Sequence, residues 1–70
     1  MTEEEFFRKL QLEWGDKEVY SIEKETVPEL LSFGGKITSN HDNQDGTYSL
    51  TISLRGKNFI CITVHKMDAA

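Results

Sequence analysis

Cysteine is almost absent from this 70-residue chain, which carries Cys61 alone. A single cysteine rules out an internal disulfide, and one thiol within an apolar run is typical of proteins from a reducing compartment. Long apolar runs are also missing, and the triplet Glu3, Glu4, Glu5 is the reverse of the basic start of a signal peptide. We therefore expect a cytoplasmic protein that does not bind a membrane.

Basic residues are scarce as well. Eight Lys and Arg stand against twelve Asp and Glu, which gives a formal net charge of −4. The imbalance lies in residues 1–33, with nine acids and four bases, whereas residues 34–70 hold three acids and four bases. Binding to nucleic-acid phosphates needs clustered Lys and Arg. The charge pattern therefore disfavours direct nucleic-acid binding and favours another protein, a basic one, as partner.

The residue types that build catalytic and metal sites are few. Cys61 and His65 lie four apart, which is about 13 Å along a strand and too far for a shared zinc ion or a nucleophile–base pair. His41 is the one other soft ligand. If residues 41–46 began an EF-hand loop, Ile52 would fall where calcium needs a glutamate. We expect no catalytic residue, no metal site and no cofactor, and hence no enzyme.

The dominant pattern is a hairpin between Gly46 and Met67. Its first half alternates polar and apolar residues, which is the period of a strand with one buried face. Its second half is apolar on both parities, so both of its faces should be partly covered. We expect Ile52 and Ile62 to share the buried face of this hairpin.

The register of the hairpin depends on its loop. A three-residue loop, Arg55-Gly56-Lys57, sets Ile52 opposite Ile60, and we predict this arrangement because it gathers the strongest apolar residues on one face. A two-residue loop is the alternative. It would set Ile52 opposite Phe59 or Cys61 and turn the second strand over.

The N-terminal segment has the pattern of an amphipathic helix. Thr2 to Glu5 has the form of a capping box, and Gly15 is a natural stop, so the helix should span about Glu3 to Trp14. Leu12 lies off the apolar stripe and should be exposed or at an interface. Four large side chains recur at helical spacing and should pack on the sheet: Phe6, Phe7, Leu10 and Trp14.

The middle of the chain links this helix to the hairpin. Glu18 to Glu23 is rich in strand formers with charged flanks, which is typical of an edge strand. Residues 26–33 fit either a short helix or a loop, and Lys36 to Asn40 should start a meander. The chain is thus predicted as one domain, residues 1–70. Its fold class is α+β: an N-terminal helix packed on a small, mainly antiparallel sheet of three or four strands with a C-terminal β-meander.

Without catalytic motifs, the surface is the candidate for function. We expect a small acidic protein-binding module, such as an inhibitor, an immunity protein or a host-modifying protein of a phage or mobile element, that occludes a basic surface of its partner. The predicted partner-binding residues are the acids of the helix start and of the edge strand together with two apolar residues: Glu3, Glu4, Glu5, Glu18, Glu23, Glu25, Leu12 and Phe59.

Two alternatives belong to other classes. The sheet could bind single-stranded nucleic acid by stacking bases on Phe59, Tyr20 or Tyr48, supported by the cations of the second half. Against this, the same aromatic residues could pack beneath the N-terminal helix, and the cations are sparse. The third possibility is a structural homo-oligomer, since a homodimer would bury more surface than so short a chain can bury alone.

Added calcium or zinc is predicted to leave the melting temperature unchanged, because a ligand that binds only the folded state must raise it. Thermal unfolding with each ion at modest excess, and with a chelator as control, measures this directly. A clear rise with either ion would reveal a metal site that the spacing argument missed.

Overall fold

A helix, a short strand and a second, shorter helix precede three longer strands in the computed structural model, which describes residues 1–64. In chain order the elements are α1 (Glu3–Trp14), β1 (Val19–Ser21), a 3-10 turn (Lys24–Thr26), α2 (Val27–Ser32), β2 (Lys36–Asp42), β3 (Tyr48–Leu54) and β4 (Lys57–Thr63). Pro28 lies in the first turn of α2, where no backbone donor is needed, so residues 26–33 are mostly helical. Residues 65–70, which include His65 and the predicted end of the hairpin at Met67, lie outside the described residues.

Helix α1 has the predicted bounds, and local contacts define both of its ends. The Thr2 hydroxyl accepts a hydrogen bond from the Glu5 amide at 3.2 Å, and three glutamates occupy the first turn, where the helix dipole favours negative charge. Gly15 follows the last turn with a φ of 77°, and its amide donates to the Gln11 carbonyl.

The strands form one sheet in the order β1-β4-β3-β2. β2, β3 and β4 are antiparallel neighbours, so the predicted meander is confirmed, and the whole is an α+β fold. The predicted edge strand, β1, does lie at an edge, where it pairs in parallel with β4 and sets Val19 opposite Asn58. The other edge, β2, begins with Lys36 and has an irregularity between Ile37 and Ser39, and both features discourage pairing with a further strand.

The predicted register of the β3–β4 hairpin is wrong. The strands are joined by two residues, Arg55 and Gly56, and Ile52 lies opposite Phe59 instead of Ile60. Both turn residues have positive φ, 53° and 74°, as a type I′ turn requires, and that turn matches the twist of the strands. The alternative two-residue loop is therefore the correct one.

This register decides which face of β4 is buried. Ile52 is completely buried, whereas Ile62 lies on the opposite face with 58% of its surface exposed, so the two do not share a face as predicted. Helices α1 and α2 cover the inner face of the sheet. Ten buried side chains form the core there: Phe6, Leu10, Tyr20, Val27, Leu30, Leu50, Ile52, Leu54, Phe59 and Cys61.

Helix α2 reaches the sheet through a close approach at Gly35. A Cβ atom at this position would lie 2.8 Å from the Leu30 carbonyl oxygen and 2.9 Å from Cγ2 of Ile52. Such distances are shorter than van der Waals contact, so only glycine lets the chain leave α2 and enter β2 at this depth.

Replacement by alanine should affect stability more at Ile52 than at Ile62, because the register buries the first and exposes the second. Ile52→Ala should lower the free energy of unfolding by about 2–5 kcal/mol, since it opens a cavity in the core. Ile62→Ala, at an exposed position, should change it by no more than about 0.5 kcal/mol. Urea unfolding followed by circular dichroism compares the two variants. Equal losses would contradict the two-residue turn.

Candidate functional site

A groove of about 440 Å³ runs between helix α1 and the segment that follows β1. Its apolar floor is formed by Phe6 and Leu10 of the helix and by Ile22, which directly follows β1. Phe6 and Leu10 are 8% exposed and Ile22 is partly buried against the core. The floor is therefore a continuation of the core that reaches the surface.

The rim of the groove is acidic. Glu13 of α1 lies on one side, Glu23 and Glu29 line it from beyond β1, and Lys9 is the one basic side chain in the lining. Phe6, Lys9 and Glu13 follow one another at spacings of three and four residues, so they share one side of the helix. Three glutamates against one lysine give the side chains of the lining a net negative charge beside an apolar floor.

Trp14 borders the groove and does not belong to the core as predicted. Its side chain is 52% exposed, and the Lys17 ammonium lies 5.6 Å from its ring centroid, within range of a cation–π contact. Trp14 is the sole tryptophan of the chain. An exposed indole at the rim of an apolar groove is a typical anchor for a protein partner.

The six glutamates predicted to bind a partner do not form one surface. Glu23 lines the groove, whereas Glu3 forms an ion pair with Arg55 in the β3–β4 turn. Glu18 also lies toward that turn, since its carbonyl accepts the Asn58 amide at 2.8 Å. Glu25 lies nearer the other end of β4, within electrostatic reach of Cys61. Glu4 and Glu5 are exposed on the first turn of α1, and the Glu5 carboxylate accepts a hydrogen bond from Thr2.

The two predicted apolar contact residues have different outcomes. Leu12 is 82% exposed, as expected, but it lies outside the lining of the groove. Phe59 is completely buried, so its assignment to a partner surface is wrong. Sequence reasoning missed Glu13, Glu29 and Trp14 as groove residues. Glu13 follows Leu10 by three residues and Phe6 by seven, so helical spacing alone could have placed it on their side of the helix.

The aromatic residues do not offer a platform for bases. Tyr20 stacks on Phe59 with ring centroids 5.4 Å apart, and Phe6 and Phe7 of α1 each lie 6.1 Å from the Phe59 ring. The Tyr20 hydroxyl donates to the Gly15 carbonyl at 3.0 Å and accepts from the Lys17 amide at 2.9 Å. Tyr48 pairs with buried Thr63 and points to the same inner side. These rings build the core, and bases cannot reach Tyr20 or Phe59.

The carboxylates of the β2–β3 loop act as turn residues. Asp42 accepts the Gln44 amide at 2.8 Å, and Asp45 accepts both the amide and the hydroxyl of Thr47. These hydrogen bonds lower the pKa of Asp45, with the hydroxyl of Thr47 as the largest cause. Asn43 completes the loop by donating to Thr47 and Ser49. Among residues 1–64 no group of three or more His, Cys, Asp or Glu side chains is placed to hold a metal ion.

Comparison with known proteins gives no match, since no protein family, curated protein or solved structure is significantly similar to this chain. In the described part of the chain, no helix has the length and apolar character needed to cross a membrane. The chain's own surfaces are therefore the basis for its function, and the groove combines a concave apolar floor with several charged side chains.

Cys61 is predicted to react slowly with iodoacetamide in the folded protein. Burial raises the pKa of its thiol, and Glu25 adds to the shift, so little thiolate forms near the ordinary thiol pKa of about 8.5. Mass spectrometry of the alkylated protein gives the rate, with the same protein in urea as the control. Equal rates in both states would show that Cys61 is accessible.

Proposed function

We propose that this protein is a non-enzymatic binding module that accepts a basic segment of another protein in the groove beside helix α1. The observation that supports the proposal is the set of side chains that line the groove, in which an apolar floor meets three glutamates and one lysine. Such a site complements a segment that carries an apolar anchor flanked by Lys or Arg.

The apolar floor supplies the affinity. A volume of about 440 Å³ is within the range of small binding pockets and admits a few side chains. Burying one Leu- or Phe-sized anchor from a partner contributes about 1.5–3 kcal/mol. Met1 and Trp14, both exposed at the groove, offer further apolar area that a partner would cover.

The acidic rim supplies orientation and rate. Glu13, Glu23 and Glu29 produce a negative field over the groove, and such a field speeds the approach of a basic partner. Salt screens exposed charges beyond about 10 Å at 0.1 M ionic strength, so this contribution weakens as salt is added. The apolar contacts that a partner makes with Trp14 and with the floor should contribute equally at low and high salt.

The biological class that this chemistry fits is an inhibitor, an immunity protein or a host-modifying protein of a phage or mobile element. A basic segment that binds nucleic acid is the natural target, because the acidic rim presents carboxylates where phosphates would otherwise bind. Occlusion of that segment in the cytoplasm would compete with nucleic acid and would need no chemical step.

The groove proposal predicts unequal effects of two double variants with the same change of net charge. Glu13→Lys with Glu23→Lys should weaken partner binding at least about tenfold at low salt, because both changes reverse the rim. Glu4→Lys with Glu18→Lys, outside the groove, should have a much smaller effect. A partner captured from the native host, with nuclease and high-salt controls, is titrated against each variant by isothermal titration calorimetry, which does not depend on Trp14.

The two contributions can be separated by salt and by one further variant. Added salt should weaken the wild-type complex, and Trp14→Ala should weaken it at every salt concentration. Binding that is unaffected by added salt, by Trp14→Ala and by the Glu13→Lys, Glu23→Lys double variant would show that the partner uses another surface and would refute the groove as the site.

A further inference from the structure

Strand β1 forms one edge of the sheet, and its outer side is exposed. Within residues 1–64 it pairs with β4 alone. Val19 is 51% exposed and Ser21 is also exposed, whereas Tyr20 between them is buried in the core. A strand at an edge leaves every second residue with its backbone amide and carbonyl directed away from the sheet. The hydrogen bonds to β4 show which residues of β1 these are.

The backbone of β1 has a direction that two hydrogen bonds define. The Glu18 carbonyl accepts a hydrogen bond from β4 at 2.8 Å, and the Ile22 amide donates one to β4 at 2.9 Å. Tyr20, halfway between them, also faces β4, because the direction of the backbone groups alternates along a strand. Val19 and Ser21 have the opposite direction. Their amides and carbonyls are two donors and two acceptors that no group among residues 1–64 satisfies.

The outer edge of β1 continues into the groove. Ser21 belongs to β1 and also lines the groove, and the next two residues, Ile22 and Glu23, extend the lining. At the opposite edge of the sheet, β2 begins with Lys36 and has an irregularity, and both discourage pairing. β1 contains neither a charged residue nor a proline. The edge beside the groove is therefore the one that is open to a further strand.

We propose that the basic segment bound in the groove is extended and adds to the outer edge of β1 as a fifth strand of the sheet. This inference rests on the proposed function, because the groove supplies the apolar and the charged contacts. Two donors and two acceptors allow at most about four hydrogen bonds, which are too few to hold a strand by themselves. Pairing with β1 therefore needs an anchor in the groove, and the pairing in turn fixes the register of that anchor.

This mode of binding narrows the class of partner segment. An edge strand binds any extended backbone, whereas the side chains of the added strand alternate between the two faces of the sheet. The side chains on the helix side reach the groove, so apolar and basic residues should alternate, with Lys or Arg where the segment passes Glu23. A helical segment uses its own amides and carbonyls internally and cannot pair with β1.

A peptide with this pattern is the probe. It has about eight residues, alternates Lys and Val and has blocked ends. Isothermal titration calorimetry should detect its binding at submillimolar concentration. Two isomers carry N-methyl groups, one on every Lys amide and the other on every Val amide. Their affinities should differ at least about fivefold, because in one isomer alone the methyl groups replace the hydrogens that face β1.

Ser21→Pro tests the same contact from the side of the protein. Proline removes the outward amide but no hydrogen bond to β4, and edge strands tolerate proline at such positions. It should weaken peptide binding at least about fivefold, whereas Ser21→Ala keeps the amide and should leave the affinity unchanged. The melting temperature of each variant shows whether it folds. If Ser21→Pro does not fold, the two methylated isomers decide the test.

Equal affinities of the two methylated isomers would overturn strand addition, and so would a failure of the unmethylated peptide to bind at submillimolar concentration. The groove itself is judged separately with the captured partner. A partner that is weakened by the Glu13→Lys, Glu23→Lys double variant but binds folded Ser21→Pro as tightly as wild type would retain the groove and refute the added strand.

Discussion

The rest of the structure depends on the burial of the Phe59 ring. Phe59 is completely buried, stacks on Tyr20 at 5.4 Å and lies opposite Ile52 in the next strand. Phe6 and Phe7 close over it from helix α1. One side chain thereby joins the edge strand, the hairpin and the helix. A shift of β4 by one residue would move this ring to the face of the sheet opposite the helices and break all three contacts at once.

That constraint explains what the sequence could and could not predict about the hairpin. The alternation in β3 and the capping box at Thr2 are local signals, and they predicted β3 and α1 correctly. β4 is apolar on both parities, so its pattern fits either register. The deciding turn places Arg55 at positive φ, which is uncommon for a residue other than glycine. Arg55 is held there by contacts distant in sequence, an ion pair with Glu3 and a Phe7 ring 4.8 Å away.

Like the hairpin, the groove could be predicted only in part from local sequence patterns. Its helix side could be recognised from spacing, because Glu13 continues the side that carries Phe6. Its other side could not, because Glu23 and Glu29 reach the groove only through the parallel pairing of three-residue β1 with β4. So short a strand leaves no periodic pattern. The exposure of Trp14 is a related case, since helical spacing shows which side faces inward but not how far the underlying core extends.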